Sequence, residues 1–240
     1  MNKFFLGCSG FSYAHWRGAF YPPEFPDYKM LDFYSQRFNS VEINSSFYNF
    51  PKRETIARWR ENTPKNFVFS LKANRQITHV KKLRNCGAQL ERFFGAAAEL
   101  KEKAGCILFQ LPPQLKKNLP LLRCFAKSLP GDFRNVFEFR HPSWFDSETL
   151  SLLRSLGLGY CIISAPQLPC IIENTADFAY IRFHGITGWY DYNYSEQDLQ
   201  YWAAEIKKLG KKSKRVFAYF NNDANAFAPR NCKGLKRLLE

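Results

Sequence analysis

With 35 Lys and Arg set against 21 Asp and Glu, this 240-residue chain carries a net charge of +14, while 45% of its residues are hydrophobic. That is enough apolar material for one large core over residues 1–240, and the cation surplus favours an anionic partner, either a small molecule or a nucleic acid. It holds no apolar run of about 18 residues, and its first apolar stretch is too short for a signal peptide, so a soluble, cytoplasmic protein with no membrane partner is expected.

In chain order the strands announce themselves by alternation. Phe4 to Cys8 is the first apolar run, followed by an aromatic loop with Phe11, Tyr13, His15 and Trp16. A helical period over Lys29–Phe38 precedes a strand at Val41–Asn44, and a short amphipathic helix over Arg53–Asn62 precedes a third strand, Phe67–Lys72. Val80–Lys103 reads as helix in two pieces broken near Asn85 and Gly87. Strand four, Cys106–Leu111, is closed by Pro112 and Pro113, and a helix over Leu119–Leu129 leads to the segment NVFEFRHPSW from Asn135 to Trp144. A leucine-rich helix then starts at Ser147 and stops at Gly157. Strand six is Tyr160–Ile163, after which the proline-broken SAPQLPCIIENTAD is too short for a full helix, so the sixth unit should be irregular. Tyr180–His184 is strand seven, Ser195 with Asp198 forms a capping box for a helix to Leu209, Val216–Phe220 is strand eight, and a basic helix over Gly234–Leu239 ends the chain. Eight strands alternating with helices in this length favour an α/β fold of the closed (β/α)8 TIM-barrel kind, and no G-x-G-x-x-G or Walker loop follows any strand.

A barrel interior takes every second strand residue, so parity sorts the side chains. One parity offers Glu42 and Asn44, Ser70 and Lys72, Gln110, Glu138 and Arg140, Arg182 and His184, Tyr219 and Asn221; the other is apolar throughout. The polar set falls at the carboxyl ends of the strands, where barrel active sites are built. The bland alternative is a top layer of polar residues that merely satisfy one another. Taken as a site, Lys72, Arg140, Arg182 and His184 are candidate cationic donors for a phosphate or carboxylate, and Glu42 and Glu138 are candidate proton carriers. Loop residues that would bind substrate around them are Phe47, Tyr48, His141, Trp144 and Trp189, with Asn222 and Asp223 beside Asn221. Seven scattered cysteines, none spaced C-x-x-C, and four separated histidines argue against a disulfide framework, a zinc site or a multinuclear centre. No cofactor is expected, leaving open one divalent metal on Glu42, Glu138 and His184.

The segments GCSGFSY, VEINSSFY, FSLKAN, FQLPPQ, FEFRHPSW, YIRFHG and YFNNDANAFAPRN together resemble the domain-of-unknown-function 72 (YecE-like) family across nearly the whole chain. The resemblance implies a TIM barrel with a pocket at those motifs and supplies no reaction. One departure is Asn225, near a position where the family pattern often has histidine. Three functions therefore compete. The first is an enzyme, a hydrolase, lyase or isomerase, using acid–base chemistry on an anionic, phosphate-bearing or nucleic-acid-derived substrate. The second is a nucleic-acid-binding protein without catalysis, and the third is a carbohydrate-active enzyme using the glutamate pair.

Overall fold

A computed structural model describes residues 3–240; the first two residues of the 1–240 domain reading, and of the start read against a signal peptide, lie outside it. Eight parallel strands, β1 (Phe4–Cys8), β2 (Ser40–Ile43), β3 (Val68–Lys72), β4 (Ala104–Gln110), β5 (Arg134–Glu138), β6 (Gly159–Ser164), β7 (Phe178–Phe183) and β8 (Arg215–Phe220), pair in the order β1-β8-β7-β6-β5-β4-β3-β2. Parity sorts the core into two bodies. Val41, Ile43, Phe69, Leu71, Phe109, Phe137, Ile181, Phe183, Ala218 and Phe220 pack outward under the helices. Phe5, Val68, Cys106, Leu108, Val136, Cys161, Tyr180, Phe217 and Tyr219 fill the inside of the ring.

The seam between β1 and β2 closes differently from the rest. Only Ser9 and Glu42 form a bridge there, and side chains do the remaining stitching. The Asn39 carboxamide accepts from Leu6 N (2.8 Å) and donates to Phe4 O (2.8 Å), while the Tyr34 hydroxyl accepts from Cys8 N (2.6 Å) and donates to Ser40 O (3.0 Å). Gly7 makes this approach feasible, because a Cβ there would lie 1.9 Å from the Ser40 carbonyl oxygen and 2.8 Å from the Tyr34 hydroxyl. Gly7→Ala should therefore force the seam apart and cost about 3 kcal/mol or more in urea unfolding, the upper range for overpacking. Wild-type stability in that variant would mean the two strands separate freely.

The sixth unit has no helix between β6 and β7, as its prolines require; instead the Thr175 hydroxyl accepts from Tyr160 N (2.8 Å) and donates to Leu158 O (2.6 Å), pinning the returning loop to the start of β6. Two helices differ from their expected bounds. In the Val80–Lys103 region, Lys82, Leu83 and Asn85 adopt positive φ, so regular helix begins only at Gly87 and runs Gly87–Ala97. The last helix is longer than its apolar period suggests, Phe227–Leu239, because Pro229 sits in the first turn, where its missing N–H is not needed. The expected Ser195–Asp198 capping box is formed and opens the helix Glu196–Lys212. No helix among the described residues is long and apolar enough to cross a membrane.

Candidate functional site

Glu42, Glu138, Arg182 and His184, all fully buried or nearly so, meet at the carboxyl-terminal end of the barrel interior. Arg182 is the hub. Its Nε donates to both Glu42 oxygens (3.1 and 3.0 Å) and its Nη2 to Glu42 Oε1 (2.8 Å), while Nη1 donates to Glu138 Oε2 (2.6 Å) and to His184 Nε2 (3.1 Å). Glu42 also accepts from Ser9 Oγ (2.6 Å) and from the Tyr180 hydroxyl (2.5 Å). Glu138 accepts from Gln110 Nε2 (2.8 Å) and from Arg140. Below this layer the Tyr219 hydroxyl lies 2.5 Å from Ser40 Oγ and 2.9 Å from Ser70 Oγ, giving the network a polar floor.

Two carboxylates and two guanidiniums so joined balance their own charge, and burial is tolerable because each is hydrogen-bonded. Burial alone would raise the Glu138 pKa, but Arg140 and Arg182 hold it well below the usual carboxylate range. Burial and then Arg182 lower His184 to about 3, against the opposing pull of Glu138. The imidazole is therefore neutral, which corrects its assignment as a cationic donor. Arg140 Nη2 also approaches His184 Nε2, at 3.0 Å. Because guanidiniums only donate, Nε2 carries the lone pair and Nδ1 the proton; the Asn221 amide nitrogen lies 3.0 Å from Nδ1, so this tautomer requires that amide turned over to present its oxygen.

The same geometry reassigns Arg182. With its donors spent on Glu42, Glu138 and His184 and its side chain 1% exposed, it has nothing left for a substrate anion. Nor are the glutamates shuttles: both are locked to Arg182, and Glu138 stays ionised, so it is not the protonated acid that a glutamate-pair glycosidase needs. Glu42, Glu138 and His184 are bridged by Arg182 rather than converging on a common point, and no group of three or more His, Cys, Asp or Glu among the described residues is placed to hold a metal ion.

Lys72 differs from its neighbours. Its Nζ stands 4.1 Å from the centre of the Phe47 ring and has no carboxylate or hydrogen-bond partner among the described residues. Burial and then Arg182 lower its pKa to about 7, against the attraction of Glu138 and Glu42. Phe47 in turn packs edge-on against His79, with ring centres 4.9 Å apart. His79, Gln110, Arg140, Gln167, Trp189 and Tyr190 line an open cavity of about 490 Å3, with the Arg140 guanidinium 4.6 Å from the Trp189 ring. A second recess of about 310 Å3 is lined by Phe11, Tyr13, Asn44 and Tyr48, the last 66% exposed.

Other expected substrate contacts lie elsewhere. Trp144 is 1% exposed, stacks on Phe139 on the outward face of the strand (4.6 Å) and donates from Nε1 to Leu115 O (2.7 Å), so it is a core residue and not part of the rim. His141 turns its Nδ1 to Ser143 N (3.1 Å) and caps the short turn Pro142–Trp144. Asn222, on the outward parity, donates to Tyr192 O (2.6 Å) and Asn231 Oδ1 (2.7 Å) and ties the loop after β7 to the last helix. Asp223 sits at the rim, its carbonyl 2.9 Å from His15 Nε2. Ser9, Tyr180 and His79 belong to the site and were not singled out. Ser9 and Tyr180 follow from extending the parity count along β1 and β7, whereas His79 lies in the irregular turn Gln76–Val80, where no period points at the cavity.

The fold and this network define a (β/α)8 barrel with a guanidinium-bridged carboxylate pair closing the floor of its carboxyl-terminal mouth. The chain belongs to the family described as protein of unknown function DUF72, whose pattern matches residues 5–240. It is 30% identical to the UPF0759 protein YunF of Bacillus subtilis, covering 92% of this chain and 90% of that protein, and 38% identical to YecE of Escherichia coli K12 over 48% of this chain and 43% of YecE. Among solved structures, a DUF72 family protein from Thermotoga maritima superposes with a TM-score of 0.91 at 29% identity, covering 99% of both chains. One from Enterococcus faecalis does so at 0.87 and 21%, covering 98% of this chain and 95% of that one, a likeness of fold.

Proposed function

We propose that this protein is an enzyme that binds an anionic substrate in the 490 Å3 cavity and works on it by acid–base chemistry, with Arg140 at the cavity wall holding the anion and Lys72, behind that wall across Phe47 from His79, moving the proton. The observation that carries this reading is the contrast within the mouth. Glu42, Glu138, Arg182 and His184 are saturated by one another, whereas Lys72 has a free amine poised near neutrality, the condition a proton carrier needs. Arg140 lines the cavity while Glu138 and Trp189 hold its plane, suiting it to a phosphate or carboxylate. In thermal-shift titrations, inorganic phosphate should stabilise the wild type and fail to stabilise Arg140→Ala. An equal shift in both would remove Arg140 from the binding role.

A second reading, nucleic-acid binding without turnover, draws on a different place. Arg230, Lys233 and Arg237, three and four residues apart on the last helix, line a groove of about 500 Å3 with Arg37 and Lys236. That reading predicts binding of single- or double-stranded DNA that weakens steeply with salt and survives Lys72→Met, whereas the enzyme reading predicts no such salt-sensitive binding.

A further inference from the structure

Resting on the reading of the mouth as an anion site, we infer that Lys72 is a covalent catalyst, forming an imine with the carbonyl carbon of a substrate that also carries an acid group, such as a 2-oxo acid. Few atoms in the mouth have an electron pair to give. Ser9 Oγ and the Tyr180 hydroxyl both donate to Glu42 and are buried beneath the network. The Cys161 sulfur is fully buried, and burial and Glu138 hold its thiol protonated. Both nitrogens of His184 are engaged, Nε2 by two arginines and Nδ1 by Asn221. The carboxylates are capped by guanidiniums. Neutral His79 keeps a lone pair but is tied through Nδ1 to Thr78 Oγ1 (2.9 Å), and an imidazole nitrogen cannot go on to a neutral imine; Lys72 Nζ, resting over Phe47, is the primary amine without a hydrogen-bond partner among the groups considered.

The titratable groups that face it come from four elements: Glu42 from β2, Glu138 from β5 with Arg140 just beyond, Arg182 from β7, and, one ring away, the neutral His79 from the turn after β3. Glu42, Glu138, Arg140 and Arg182 cancel one another, so the amine sees a desolvated pocket and no dedicated counter-ion. That setting favours neutral nitrogen in the free protein. A bound acid group changes the balance by bringing its own negative charge, which offsets the cationic iminium once it forms.

The step balances without any oxidant or reductant. The Nζ lone pair adds to the carbonyl carbon, a C–N bond forms as the C=O π bond breaks, and a proton passes from nitrogen to the new alkoxide. The carbinolamine hydroxyl then takes a proton from solvent and leaves as water, while the nitrogen lone pair closes the C=N bond. Burial and then Lys72 keep His79 neutral, with a pKa lowered to about 4, so at the cavity wall it can direct the acid group by hydrogen bonding without competing for the proton.

Reduction traps the imine. Wild-type protein incubated with pyruvate and sodium cyanoborohydride at pH 7, digested and mapped by mass spectrometry, should carry a carboxyethyl group on Lys72. Labelling there should be faster than at surface lysines by up to about 1,000-fold, since roughly half of an amine of pKa near 7 is neutral at that pH against about one in 2,500 of an ordinary lysine. Lys72→Met, checked for a cooperative melt at or above the wild-type temperature, should lose that fast phase. Labelling of Lys72 no faster than of the surface lysines, in protein that phosphate still stabilises through Arg140, overturns the imine and leaves the anion site standing. Fast labelling of Lys72 that acetaldehyde matches and phosphate does not slow supports the amine and removes the acid group from the substrate.

Discussion

Arg182→Met should lower the stability of the folded protein by about 3–5 kcal/mol, the cost of leaving buried charges without their partner. The physical reason is arithmetic at one point in the barrel. Arg182 is 1% exposed and supplies hydrogen bonds to both Glu42 and Glu138, themselves fully buried, so its removal strands two carboxylates in the interior with Arg140 on Glu138 and Lys72 the cations still near them. Urea unfolding at pH 7 measures the loss. Adding Glu42→Gln and Glu138→Gln to Arg182→Met should restore a large part of it, because neutral amides need no counter-ion. Lowering the pH of the single variant should help for the same reason, by protonating the stranded carboxylates. A single variant within 1 kcal/mol of wild type would contradict the view of Arg182 as the hub.

Lys72→Met should act in the opposite direction. Burial and Arg182 penalise the ammonium of Lys72, lowering its pKa from the ordinary lysine value to about 7. Between about pH 7 and 10.5 the unfolded chain binds more protons at this residue than the folded one, so the penalty is complete below pH 7 and fades as pH rises through that window. A methionine over Phe47 removes it. At pH 6 the variant should be more stable than wild type by about 2 kcal/mol, a figure set below the full shift because solvent reaches part of the side chain. The gain should shrink toward pH 9.5. Thermal melts across this range decide it, and a gain independent of pH would mean that Lys72 stays charged without cost. Such a gain is what the proposed role of Lys72 requires, a buried amine kept at a cost in stability.

His184 and Glu138 make wild type sensitive to acid through the same linkage. The folded pKa of His184 lies at about 3 and that of Glu138 below the usual carboxylate range. The unfolded chain therefore takes up protons first, and stability falls as pH drops below the ordinary histidine value.

Much of this protein is legible from residue order because alternation in a strand is a local property. Val41, Phe69, Phe109, Phe137, Ile181 and Ala218 had to face one way and Glu42, Ser70, Gln110, Glu138, Arg182 and Tyr219 the other once each run was a strand. Eight such runs with helices between them leave few ways to hide both faces. The missing sixth helix was equally local, written in its prolines. What alternation cannot decide is who meets whom across the ring. That Arg182 lies between Glu42 and Glu138, that Trp144 turns under Phe139, and that His79 lines the cavity with Phe47 packed behind it depend on barrel closure and loop packing over long separations. The sequence by itself determined the barrel and the polar lining of its mouth. Only the tertiary structure decided which charges neutralise one another and which amine is left over, because pairing energy in a buried site depends on distances that the order of residues does not contain.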